Sequence, residues 1–240
     1  MIPAILICSP YITVLLILTK FFGIKYTDII KNNKSIKRGI IYPVGIGTIL
    51  LVVTTIYLGL MPSIFSFEPK NSELLLWAIP FFMVVGIVFR LKFINRADFE
   101  KNGLLLLVLA TFLVGFSEEL LVRGLAVHYL LEDGFSLLLT GIISSVIFGL
   151  LHFMNYFNGQ DFKKTSLQVV TTILMGFNFF VILIITGSLW IPIILHFIYD
   201  FSILCMGKKQ QLSEKSLSAL VVTISFLAMF ILPFVAMFFI

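Results

Sequence analysis

Eight apolar stretches, over roughly 3–22, 39–60, 74–91, 103–131, 135–154, 166–186, 188–207 and 216–240, take up nearly the whole chain. Each is about the 20 residues a helix needs to cross ~30 Å of hydrocarbon. At 60% hydrophobic, 12% charged and a mean hydropathy of +1.11, the 240 residues carry more apolar surface than a soluble fold of that length hides. The reading is all-α: a polytopic transmembrane bundle of about eight spans, forming one integral membrane domain over 1–240. No segment of about ten alternating residues repeats, which argues against a β-barrel. The fourth stretch is longer than a bilayer requires, so tilt, a kink or an emerging end is expected there. The opening stretch lacks a basic n-region and a small-residue cleavage site, so no separate targeting peptide is expected.

Charge orients the bundle. Of the 17 Lys and Arg residues, all but Lys70 and Arg123 fall in the connections after spans one, three, five and seven. The positive-inside rule places those loops in the cytoplasm and both termini outside. The alternation also checks the span count, because one missed span would scramble it. The pI of about 9.2 then reflects topology and anionic lipid contact, and nucleic-acid binding need not be invoked. Cys8 and Cys205 stand singly in apolar spans and read as inert buried thiols.

Ionisable residues inside a span cost a few kcal/mol each on insertion scales, of order ~3 for a carboxylate or guanidinium, and mark functional sites by default. Glu118, Glu119 and Arg123 lie within six residues of span four. Glu119 and Arg123, four apart, share a helix face with the acid N-terminal, the better order for a pair. Glu118 is turned about 100° away, free for other work. The bland reading of Glu119–Arg123 is an ion pair that glues helices together. It explains Glu118 less well, because glue needs no second carboxylate. His152 ends span five in Phe148-Gly-Leu-Leu-His152, and His196 and Asp200 share one face of span seven. Taken singly, each histidine reads as structural; taken together, the residues come from three spans. His128 reads as interfacial. Counting helical rise from the nearest cytoplasmic lysine puts His152 at ~16 Å, His196 at ~18 Å, Asp200 at ~12 Å and Glu118 at ~25 Å. A tilted or partly non-helical fourth span would bring Glu118 level with the others.

A carboxylate and two histidines facing one polar cavity between spans four, five and seven suit water activation. In one mechanism Glu118 and His152 hold and deprotonate a water while His196 steadies the oxyanion. In another, Glu118, His152 and His196 ligate zinc with an open fourth position. His-Glu-x-x-His, Gly-x-Ser-x-Gly and Gly-x-Gly-Asp elements are all missing from the sequence.

Glu118-Glu119-x-x-x-Arg123, Phe148-x-x-x-His152 and His196-x-x-x-Asp200 resemble, in order and spacing, the three motifs of the CAAX protease and bacteriocin-processing family of intramembrane proteases. Arg123-Gly124 and Trp190-Ile-Pro192 are similar to that family as well. The motif-bearing core lies at about 103–207. The resemblance implies that Glu118 is the catalytic carboxylate and His152 its partner on the water. It implies further that His196 and Asp200 polarise the substrate carbonyl, and that Glu119, Arg123 and Phe148 support them. Eukaryotic-type members have Asn where this chain has Asp200; an amide can donate to an oxyanion and an ionised Asp cannot. Asp200 therefore either carries a proton or orients His196, and a prenylated substrate is less well supported. The expected partners are a peptide or protein substrate and the bilayer, and the expected location is a bacterial plasma membrane. Two rival readings stand beside the protease. One is a catalytically idle bacteriocin self-immunity or sensor protein. The other is a proton-coupled transporter, against which the missing internal repeat counts.

Overall fold

The computed structural model describes residues 2–66, 68, 69, 73–94, 96–205 and 217–240, the side chains of 2–8 and 217–219 excepted. Among the described residues eight long helices follow one another: α1 (Ile2–Phe22), α2 (Asn33–Tyr57), α3 (Leu74–Leu91), α4 (Gly103–Glu132), α5 (Leu137–Leu151), α6 (Phe162–Thr186), α7 (Trp190–Leu204) and α8 (Leu217–Ala236). Among the described residues the β structure is limited to an isolated bridge between Ser66 and Ser188. Each predicted apolar stretch is helical over most of its length. Five helical segments among the described residues are long and apolar enough to cross a membrane: Asn33–Tyr57, Leu74–Leu91, Gly103–Glu132, Leu137–Phe157 and Phe162–Thr186. Ser9–Phe22, Trp190–Leu204 and Leu220–Ala236 are shorter apolar runs. The loop lysines Lys70, Lys208, Lys209 and Lys215 and the Cys8 side chain lie outside the described residues, whereas Cys205 is a buried free thiol.

Local chemistry sets the helix ends. Asn32, Ser136 and Asp161 cap α2, α5 and α6, their side chains accepting from the backbone N–H of Ser35, Leu139 and Lys164. Gly187, left-handed at φ 65°, stops α6. Pro192, in the first turn of α7, then restarts the chain as a helix shorter than the predicted 188–207. Pro43 cannot donate to the turn before it, and α2 is wound as a π-helix over Lys37–Ile41 at that place.

The middle helix is α6. From Met175 to Ile185 it is buried on every side, as a helix surrounded by others must be. It packs on α5, α7 and α8, while α4 packs on α7, α2 and α1 and α3 packs on α8 and α7. Small residues let backbones approach, which in hydrocarbon does the work that water-driven burial does elsewhere. A Cβ on Gly149 of α5 would stand 2.8 Å from the Val169 carbonyl of α6, and one on Gly115 of α4 would stand 2.9 Å from the Phe197 nitrogen of α7. The outer faces are apolar and exposed: Ile49, Val53 and Ile56 on α2, Phe81 and Val88 on α3, Leu227, Ile231 and Phe234 on α8. In water such a surface would be a liability, and in lipid it is matched.

Buried polar groups are fitted to these helix irregularities. Pro233 has no N–H for the carbonyl of Met229 one turn earlier, and Asn178 of α6 donates its Nδ2 to that carbonyl at 2.9 Å. Arg90, buried at the end of α3, lies with its guanidinium 4.5 Å from the Tyr199 ring centre and donates to Ser202 Oγ at 3.2 Å.

Candidate functional site

The site forms where α4 and α7 touch. Gly103–Glu119 is regular α-helix, and its Gly115 carries no side chain to hold α7 away. Immediately after Glu119, Leu120–Ala126 is wound as a π-helix. Such bulges favour functional sites because the wider turn re-aims side chains. The predicted irregularity of span four is therefore real, but it follows the two acids instead of preceding them. Glu118 reaches His196 at 3.8 Å from a helix that is regular over Gly103–Glu119.

His196 is the hub. Its ring is buried, stacked on Phe179 at 4.8 Å and met edge-on by Phe148 at 5.7 Å. Nδ1 lies 2.9 Å from Glu119 Oε1. A carboxylate oxygen accepts, so this nitrogen carries the proton and the ring orientation is fixed. Nε2 then faces two further carboxylates, Asp200 Oδ2 at 3.4 Å and Glu118 Oε2 at 3.8 Å. The two adjacent acids of α4 thus meet opposite nitrogens of one imidazole, a geometry that helical periodicity does not reveal.

Burial separates the acids further. Glu119 is fully buried and lies 3.3 Å from Arg123 Nη1, which is itself fully buried. Arg123 donates Nη2 to the Gly176 carbonyl at 2.8 Å and lies 4.3 Å from the Phe148 ring centre. Gly176 is needed there, because a Cβ would come within 3.1 Å of Arg123 Nη2, Phe148 and Ser145 together. Glu118 keeps 24% of its side chain accessible and Asp200 30%. The Glu118 Oε2 oxygen is nevertheless buried and has no hydrogen-bond partner. That is costly unless something else occupies its lone pairs when the protein works.

His152 caps the C-terminus of α5, and its Nδ1 is 3.0 Å from the Phe148 carbonyl. It lies within electrostatic reach of Glu118. Phe148 links the motifs physically by touching His152, His196 and Arg123. All seven singled-out residues, Glu118, Glu119, Arg123, Phe148, His152, His196 and Asp200, fall in one neighbourhood. His128 is elsewhere, paired with Glu132 at 3.2 Å near the other end of α4. Among the described residues no group of three or more His, Cys, Asp or Glu side chains is placed to hold a metal ion, Glu118, His152 and His196 included.

Three contributors were not legible in the sequence. Tyr11 of α1 donates to Ser117 Oγ at 2.8 Å beside Glu118, and its ring fills the space that Gly47 leaves. Tyr26, in the loop after α1, accepts from Gln168 Nε2 at 3.2 Å. Gly176 holds Arg123. All come from helices or loops outside the motif spacing, and a tyrosine or glycine in an apolar run gives no signal of its own.

Comparison with known proteins gave no match among curated proteins and none among solved structures. The model of the family described as Type II CAAX prenyl endopeptidase Rce1-like matches residues 100–202, which carry the whole polar cluster of α4, α5 and α7, and this is the CAAX protease family that the three motifs resemble.

Proposed function

We propose that this protein is an intramembrane endopeptidase that uses Glu118 as its general base and no metal. The observation that carries this reading is Glu118 Oε2, buried, unpartnered and 3.8 Å from His196 Nε2, while Oε1 of the neighbouring Glu119 is taken by Arg123 and His196 Nδ1. A water held by Glu118 and His152 attacks the peptide carbonyl, and Glu118 takes its proton. The carbonyl oxygen becomes an oxyanion and accepts a hydrogen bond from His196 Nε2 when that nitrogen is protonated. Collapse breaks the C–N bond, and Glu118 returns the proton to the leaving amine. Glu119 holds the ring through Nδ1 and Arg123 holds Glu119, so these two position and do not react. Asp200 orients Nε2.

The reading includes eight crossings of a bacterial plasma membrane, with the basic loops in the cytoplasm and the polar cavity between α4, α5 and α7. The lipid-compatible outer faces of α2, α3 and α8 and the alternation of basic loops support it. The substrate is a peptide or protein segment that reaches the membrane.

The test compares peptide termini in membranes and medium of cells producing wild-type protein or Glu118→Gln at matched levels. A product present only with the wild type is expected, and it also names the substrate. A phenotype that persists with no Glu118-dependent product would refute proteolysis and favour the idle immunity or sensor protein.

A further inference from the structure

The cluster contributed by α4 and α7 is rich in acceptors and poor in donors. Glu118 and Asp200 only accept when ionised, and His196 Nδ1 is committed to Glu119. That leaves Nε2 as the ring's one donor toward a developing oxyanion. A second hydroxyl, on a different element, lies within electrostatic reach of Glu118 and Asp200. Tyr26 opens a short 3-10 turn, Tyr26–Asp28, in the loop between α1 and α2. Its backbone N–H donates to the Asn158 carbonyl at 2.9 Å, which ties the loop under the α5–α6 connection. Asn155 Nδ2 donates to Gln168 Oε1 at 3.0 Å, and Gln168 Nε2 donates to the Tyr26 hydroxyl at 3.2 Å. Asn155 in turn donates its backbone N–H to the His152 carbonyl at 3.1 Å, so the chain is anchored on the turn that carries His152.

This chain of donors has a direction. Gln168 has its oxygen occupied by Asn155 and therefore presents N–H to the phenol oxygen. The phenol oxygen is an acceptor in that bond, so its own proton is free to be donated elsewhere. Glu118 and Asp200 both lie within electrostatic reach of the phenol. Burial raises its pKa above the ordinary tyrosine range, so it remains an O–H donor at neutral and mildly alkaline pH.

We propose that Tyr26 is a further catalytic residue, donating its phenolic O–H to the substrate carbonyl oxygen as negative charge develops there, alongside His196 Nε2. The hydroxyl supplies a hydrogen bond and gives up no proton, so the proton path through Glu118 is unchanged. The inference rests on the proteolytic reading above. It also offers a physical answer to Asp200: with no amide donor at that position, the phenol provides the missing donor.

The experiment uses the full chain in detergent or membranes and, as probe, the polypeptide identified by its Glu118-dependent cleavage. Tyr26→Phe keeps the ring and the backbone bond to Asn158 and removes only the hydroxyl. Loss of one oxyanion donor lowers kcat by about 100-fold or more. KM should stay within about two-fold, because the bond strengthens only in the transition state. Gln168→Leu, which frees the phenol to turn, should give a smaller loss of kcat. The unfolding temperature of Tyr26→Phe in detergent should match wild type. A Glu118-dependent product made at full rate by Tyr26→Phe overturns the assignment of Tyr26 alone. A slower rate that comes with a lower unfolding temperature and a raised KM makes Tyr26 a loop latch and overturns it too. Absence of any Glu118-dependent product overturns both readings.

Discussion

Gly115→Ala tests the idea that the site depends on how closely α4 and α7 approach. The new Cβ would lie 2.9 Å from the Phe197 nitrogen, 3.2 Å from its Cα and 3.3 Å from the Ile193 carbonyl oxygen. All three are backbone atoms and cannot swing aside. Ordinary contact begins at 3.4 Å, so the helices must part by ~0.5 Å to relieve the closest overlap. A shift of that size takes the bond between Glu119 Oε1 and His196 Nδ1 from 2.9 Å toward ~3.4 Å, the edge of useful geometry. Overpacking costs ~1–3 kcal/mol, and alanine gains back ~1 kcal/mol over glycine in a helix, which leaves a net cost of ~0–2 kcal/mol. Rate suffers more, since a misplacement of about 1 Å costs about 100-fold and half of that costs about 10-fold. Gly45→Ala is the control, because its Cβ would meet only Leu113 Cδ1, at 3.7 Å. The assay is the rate of Glu118-dependent cleavage together with the unfolding temperature in detergent. Gly115→Ala should be folded and about 10-fold slow, and Gly45→Ala should be normal in both. Full activity in Gly115→Ala would show that the α4–α7 spacing does not set the catalytic geometry.

The two adjacent acids should separate by phenotype: Glu119→Ala leaves Arg123 as an uncompensated buried cation and should cost ~3–5 kcal/mol of stability, whereas Glu118→Gln should abolish cleavage with the unfolding transition essentially unmoved. Equal destabilisation by the two substitutions would contradict the division between them. Asn178→Leu orphans the Met229 carbonyl and should cost ~1–3 kcal/mol, but much less in a Pro233→Ala background, where the helix supplies its own N–H. A double-mutant cycle in detergent checks this, and strict additivity would mean that Asn178 is not capping the proline gap. Treatment with 1,10-phenanthroline should leave the cleavage rate unchanged; loss of activity that added zinc restores would bring back the Glu118, His152, His196 ligand set.

Much of the fold was written in the chain itself. The solvent of a transmembrane helix is hydrocarbon, so each backbone group must be satisfied within its own helix, and length and hydropathy alone locate the segments. The caps at Asn32, Ser136 and Asp161 and the stop at Gly187 are equally local. The polar residues of the site were legible for the same reason: in an apolar run, Glu118, Glu119, Arg123, His152, His196 and Asp200 stand out by their cost. What periodicity could not supply is the division between Glu118 and Glu119. It depends on an imidazole 77 residues away whose two nitrogens face different acids. Nor could it supply Tyr26, Tyr11, Gly115 and Gly176, whose types are unremarkable in such a sequence. Their significance comes from neighbours on other helices, a proline-opened carbonyl at Met229 included. Sequence fixes which groups are too costly to bury alone, and tertiary packing decides which partner each one finds, because that choice rests on distances of a few tenths of an ångström between helices far apart in the chain.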